Sequence, residues 1–134
     1  MMTVNEIARK AGVAPDTVRY YSRLGLLKPN RNPENGYKLY RKNDVSRLRF
    51  IRQAQTLGFT LKEITEILGD AEDGSSPCPK VRDIIVRHIE ENRRKIEELQ
   101  ALQQRMEAAL EKWKEMPDGA PDGTHVCHLI ESTE

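Results

Sequence analysis

The chain has 134 residues, of which 37% are hydrophobic, 5% aromatic and 32% charged. That is enough for one domain, or a small domain with an extension, but lean for a monomer burying its own core, so an elongated oligomer is expected. No apolar run approaches 18 residues and no leader-like segment opens the chain, which excludes a membrane span and a secretory signal and points to the cytoplasm. The net charge of +1 conceals a division: residues 1–55 hold 12 Lys and Arg against 4 Asp and Glu, whereas the remainder holds 10 against 17. A basic N-terminal part on a nearly neutral protein is the electrostatic footprint of nucleic-acid binding.

In chain order, Thr3 and Glu6 have the spacing of a capping box, and Val4, Ile7, Ala8 and Ala11 follow on one helical face up to Gly12. Pro15 then opens a second short helix with Val18, Tyr21 and Leu24 inward and Gly25 at its end. Two short helices joined by about three residues around a glycine make a helix-turn-helix. Its second helix presents Asp16, Thr17, Arg19, Tyr20 and Arg23. Arg19 and Arg23 suit phosphate, while Thr17 and Tyr20 suit base edges or sugar.

Asn35-Gly36 is a tight-turn signal, and Tyr37, Leu39 and Tyr40 read as a strand after it. The result is a two-stranded wing that carries Arg31, Asn35, Lys38 and Arg41. Asn43 is the expected cap of the next helix, with Val45, Leu48, Ile51 and Ala54 at helical spacing up to Gly58. Thr60 and Glu63 repeat the capping box before Leu61, Ile64, Ile67 and Leu68.

The segment "TVRYYSRLGLLKPNRNPENGYKLYRKNDVSRLRFIRQAQTLGFTLKEI" resembles the DNA-binding domain of the MerR family of bacterial transcription regulators. R-Y-Y, the N-G-Y-K-x-Y wing and L-G-F-T-L-x-E-I occur in the family's order, and the resemblance covers residues 3 to 69 before continuing more loosely. It implies that Arg19, Tyr20, Arg31, Tyr37, Lys38 and Arg52 contact DNA. Thr17, Arg23, Asn35 and Gly36 complete the expected interface. It further implies an activator that works with RNA polymerase by bending and untwisting double-stranded promoter DNA, a distortion offset by added phosphate contacts.

After the polar "GDAEDGSSPCP", Pro79 is expected to start a helix that runs to Lys114. Apolar or small residues mark one seam: Ile85, Ile89, Asn92, Ile96, Leu99, Leu102, Met106, Ala109 and Trp113. Such a helix spans roughly 50 Å, so the seam needs a second helix, most simply that of another copy. The expected fold is therefore mainly α: a winged helix-turn-helix head of four helices and a two-stranded wing, then a long antiparallel coiled-coil dimerisation helix. The divisions are 1–69 for the DNA-binding head, 70–78 for a linker, 79–114 for the dimerisation helix and 115–134 for a C-terminal effector loop and tail.

The only cysteines, Cys78 and Cys127, flank this helix, and His125 and His128 flank Cys127. In a parallel dimer the two cysteines stay a helix length apart. In an antiparallel homodimer each Cys78 comes beside the other subunit's C-terminal segment, giving two equivalent sites. The resemblance independently implies antiparallel pairing, and an effector site around Cys127 in members that sense metals. Cys78, Cys127, His125 and His128 are the candidate ligands. Two sulfurs with one or two imidazoles suit zinc or cadmium, and two thiolates suit mercury or lead. In an extended segment residues 125 and 127 share a side, which favours His125; His128 serves only if the loop turns there. Metal sensors of the family commonly carry cysteine at the end of the long helix, where this chain has Trp113 and Lys114, and its loop up to Cys127 is longer.

Alternatives remain open at this level. One is thiol-based redox or electrophile sensing, and another is an organic effector, although few residues follow the helix to form a domain for it. A zinc enzyme using Cys127, His125 and His128 lacks a general base beside them and a pocket-sized core. A bare coiled-coil scaffold leaves Arg19 and the basic head without purpose.

Overall fold

A computed structural model describes residues 1–133 and resolves into two compact units, Met1–Val86 and Arg87–Glu134. The first unit contains α1 (Val4–Ala11), α2 (Pro15–Arg23), β1 (Asn30–Arg31), β2 (Lys38–Leu39), α3 (Lys42–Thr56), α4 (Leu61–Glu72) and the opening turns of α5 (Cys78–Trp113). The second contains the rest of α5 and a single-turn helix, α6 (His128–Glu131). Among the described residues no helix is long and apolar enough to cross a membrane.

Local chemistry explains each helix of the head. Thr3 and Thr60 accept from the amides of Glu6 and Glu63, whose carboxylates accept in return from the Thr3 and Thr60 amides, so both expected capping boxes form. Gly12 closes α1 at φ 72°, a left-handed conformation that disfavours a side chain. Pro15 occupies the first position of α2, where its missing N–H needs no partner. The cap expected at Asn43 lies instead at Arg41, because Asp44 Oδ2 reaches back 2.8 Å to the Arg41 amide and draws the helix start upstream. Asn43 is an exposed residue of the first turn.

The wing is shorter than its sequence pattern. Only Asn30↔Leu39 and Arg31↔Lys38 pair. The loop between them is held by Asn32 and Asn35, whose side chains accept from the Glu34 and Tyr37 amides, with Gly36 at φ 72°. Tyr37 falls outside the ladder, and Tyr40 pairs through an isolated bridge with Met2, two 2.7 Å bonds that tie the chain's start to the wing.

Except for Leu24, which caps the end of α2 and is 49% exposed, the residues expected inward meet in one core, where Ile7, Val18, Leu27, Tyr40, Leu48, Ile51 and Ile64 are essentially inaccessible. Two polar contacts run through it. Tyr40 Oη pairs with Ser22 Oγ at 2.7 Å, and Tyr21 Oη donates to Gln55 Oε1 at 2.6 Å, so neither phenol is buried without a partner. Ile84 is buried in the same core with Val81 and Ile85 packed against it, and the first turns of α5 therefore belong to the head. That helix begins at Cys78 and not at Pro79, since the Val81 amide bonds to the Pro77 carbonyl and Pro79 takes the second position.

Candidate nucleic-acid interface and effector loop

The head displays α2 beside the wing. Arg19 lines a cleft of about 470 Å³ with Thr3, Val4, Asn5, Tyr37 and Lys38, so α1, α2 and the wing share one surface. Tyr20, Arg23, Arg31, Asn35, Gly36 and Tyr37 are exposed, while Thr17 and Lys38 are half-buried. The Arg23 guanidinium lies 6.0 Å from the centroid of the Tyr20 ring, and that ring tilts against Tyr21 at 5.6 Å. These contacts anchor the exposed Tyr20 ring to the core through its neighbour.

Several arginines here have second employments that periodicity does not reveal. Arg31 donates to the Gly36 carbonyl across the wing loop. Arg19 Nη1 donates to Asp16 Oδ1 at 2.8 Å. Arg52 Nη1 donates to the Ala11 and Gly12 carbonyls at 3.0 and 3.3 Å, and Arg49 donates to the Lys10 carbonyl, so α3 supplies donors to the open C-terminus of α1. Arg47 was not singled out by the sequence, yet it donates through Nε to the Leu26 carbonyl and through Nη2 to Glu72 at 2.5 Å, joining the end of the helix-turn-helix to α4. The Arg47 hydrogen bond and charge hold the Glu72 carboxyl below its usual range. At the start of α5, Lys80 pairs with Asp70 at 2.9 Å, and that hydrogen bond raises the Lys80 pKa.

In the second unit the segment after α5 folds back on the helix end. Trp113 Nε1 donates to the Leu129 carbonyl at 2.7 Å and Lys112 to the Ser132 carbonyl at 3.0 Å. Asp122 Oδ1 collects the Thr124 amide, the Thr124 hydroxyl and the His125 amide, bonds that lower the pKa of its carboxyl. Glu131 works from the other side: Oε1 accepts the Val126 and Cys127 amides, and Oε2 faces His125 Nδ1 at 3.1 Å. The His125 hydrogen bond and then the amide bonds place the Glu131 pKa below its ordinary value.

The candidate ligands are thus individually placed. Cys127 is half-buried at the N-cap of α6, and Cys78 is an exposed free thiol at the start of α5. His125 lies in a turn shaped by Asp122 rather than in an extended run. Its Nδ1 is turned to Glu131, so Nε2 is the ring nitrogen that this carboxylate does not engage. His128 Nε2 meets the Pro117 carbonyl at 2.8 Å, and its ring occupies the space where a Cβ on Gly119 would stand. Among the described residues no three His, Cys, Asp or Glu side chains converge to hold a metal ion.

The geometry of head and wing agrees with the comparisons. Residues 2–70 match the model of the MerR HTH family regulatory proteins, and residues 45–109 match that of the MerR DNA-binding segment. The chain belongs to the MerR family. Its MerR relatives are transcription regulators and not enzymes. The mercuric resistance operon regulatory protein of Bacillus cereus is 36% identical over 96% of this chain and 94% of its own. The HTH-type transcriptional regulator ZntR of Escherichia coli K12 is 32% identical over 100% and 93%. Among solved structures, the transcription regulator PbrR691 from Ralstonia metallidurans CH34 in complex with lead(II) superposes with a TM-score of 0.77 at 29% identity, covering 98% of both chains. This MerR chain therefore sits with the metal-responsive members, as its sequence pattern led one to expect, and its head is a DNA-binding module.

Proposed function

We propose that this MerR-family regulator acts as a homodimer that senses a thiophilic or divalent metal ion at the subunit interface and, with RNA polymerase, activates a promoter by distorting its DNA. The observation that carries the reading is the build of the Cys127 loop. A half-buried thiol lies two residues from an imidazole whose Nδ1 faces the Glu131 carboxylate, a contact of the kind that fixes the ring of a metal-binding histidine. Two relatives are named for mercury resistance and for a complex with lead(II), which supports the same choice of ion class.

A seam of apolar side chains on α5 supports pairing. Ile89, Ile96, Leu99, Leu102 and Met106 are between 38% and 63% exposed, far more apolar helix surface than a lone solvated helix carries. Antiparallel pairing of two such helices brings Cys78 to Cys127 of the partner subunit. The donors that fit are then the thiolates of Cys78 and Cys127 with His125 Nε2, while His128 stays committed to Pro117 and Gly119. A bound ion supplies a multivalent electrophilic centre that joins two chains. Such linkage changes the DNA only if the donors close better in one arrangement of the heads than in the other.

The test mixes Cys78→Ser and Cys127→Ser protomers and follows thiolate absorption on adding lead(II). Each variant alone should lose binding, and the mixture should recover one intact site per heterodimer. A mixture that binds nothing while the wild type binds overturns the cross-subunit geometry. The exposure of Cys78 favours one second reading, thiol-based redox or electrophile sensing. That reading requires peroxide to change transcript output from metal-free protein.

A further inference from the structure

The DNA-facing helix carries one acidic side chain, and its carboxylate is engaged by an arginine and not by the helix's own amides. Asp16 is the second residue of α2, and its side chain is 94% exposed beside Arg19, Tyr20 and Arg23. Asp in a first turn commonly serves the helix's open amides. Here Ala14 is the N-cap without any side-chain bond, and Asp16 Oδ1 instead accepts from Arg19 Nη1 at 2.8 Å. The carboxylate is therefore held on the outward face by the same arginine that lines the cleft with Tyr37 and Lys38.

A carboxylate in that position opposes DNA almost everywhere. Phosphates, guanine O6 and N7 and thymine O4 are all acceptors, and residues at the start of a recognition helix are the ones that meet base edges. Two amino donors face the major groove, adenine N6 and cytosine N4; the acceptor N7 beside adenine N6 repels a carboxylate, so the partner with matching chemistry is cytosine N4, from which Asp accepts. One bond from Arg19 leaves most of the carboxylate's accepting capacity for it, and a guanidinium with five N–H donors holds Asp16 and a backbone phosphate together. We propose that Asp16 is a specificity-determining residue, selecting a cytosine within each half-site while the paired Arg19 positions it from the neighbouring phosphate. The device weakens binding to DNA in general and sharpens the choice among sequences.

The inference rests on the proposed pairing of two DNA-binding heads and on neither metal nor effector loop. The experiment uses the full chain to enrich duplexes from a random pool, then repeats the enrichment with Asp16→Ala and Asp16→Asn, each checked for folding by circular dichroism. Wild type should enrich a symmetric site with an invariant C·G pair under each α2. Asp16→Ala should bind unrelated duplex more tightly and lose about tenfold or more of its discrimination against T·A at that pair. Asp16→Asn should move the preference at that position to A·T, because Asn pairs with adenine N6 and N7. Enrichment of the same sequence by all three proteins overturns the role of Asp16 while leaving the DNA-binding head intact. An equal loss of affinity by Asp16→Ala for selected and unrelated duplexes overturns it too, reducing Asp16 to a support for Arg19. A wild-type chain that enriches nothing overturns both readings together.

Discussion

Arg19 and Arg52 are both assigned to DNA by resemblance, and their surroundings separate them. Arg19 pairs with an exposed carboxylate one turn away, a contact worth little in water. Arg52 satisfies two main-chain carbonyls at the end of α1. Arg19→Ala should therefore leave thermal stability nearly unchanged while weakening promoter binding and reducing the salt slope by about one. Arg52→Ala should cost about 1 kcal/mol of stability as well, since carbonyls of the α1 terminus lose a charged donor. Paired melting curves and salt titrations of the two variants separate these outcomes. A third position is sharper still. A methyl group on Gly119 meets the His128 ring directly, so Gly119→Ala should push that ring off Pro117 and disturb the turn beside Cys127, which the fluorescence of Trp113, bonded to Leu129, will report.

At the level of elements, two ion pairs tie the helices of the head together: Arg47–Glu72 between α3 and α4, and Lys80–Asp70 between α4 and α5. Glu72 has a folded pKa below its ordinary value of 4.5. A lowered carboxyl contributes stability that is fully present above the unfolded pKa and is lost as the pH falls through the folded one. Glu72→Gln should thus be less stable than wild type near neutrality, and the gap should close as acid protonates Glu72. Denaturant unfolding of both proteins at a series of pH values reads this directly, and a gap that persists unchanged in acid would contradict it. Capping boxes and glycine stops were legible in the sequence because they depend on residues three or four apart. The start of α3 was not, because Asp44 and Asn43 compete locally and only the backbone shows which one reaches the free amide.

For the whole molecule, the exposed seam of α5 makes the sharpest demand. Leu99 is 63% exposed, and burying such a side chain contributes about 2 kcal/mol in each copy. If the proposed dimer forms through this seam, Leu99→Glu should shift sedimentation toward the monomer at micromolar concentration while leaving the core of the head folded. Retention of the dimer with unchanged affinity would place the interface elsewhere.

The sequence by itself determined the helical head, its wing turn, its basic face and the long apolar helix. Each of these is written in spacings of two to seven residues and in charge, which act locally. Tertiary structure alone decided what long-range packing controls: the entry of Ile84 into the head core, the commitment of Arg47 and Arg52 to main-chain carbonyls, and the division of labour between two histidines. Glu131, Pro117 and Gly119 lie 6, 11 and 9 residues from the rings they contact. Only a folded loop brings those partners together, since a hydrogen bond or a close contact depends on position in space and not on order along the chain.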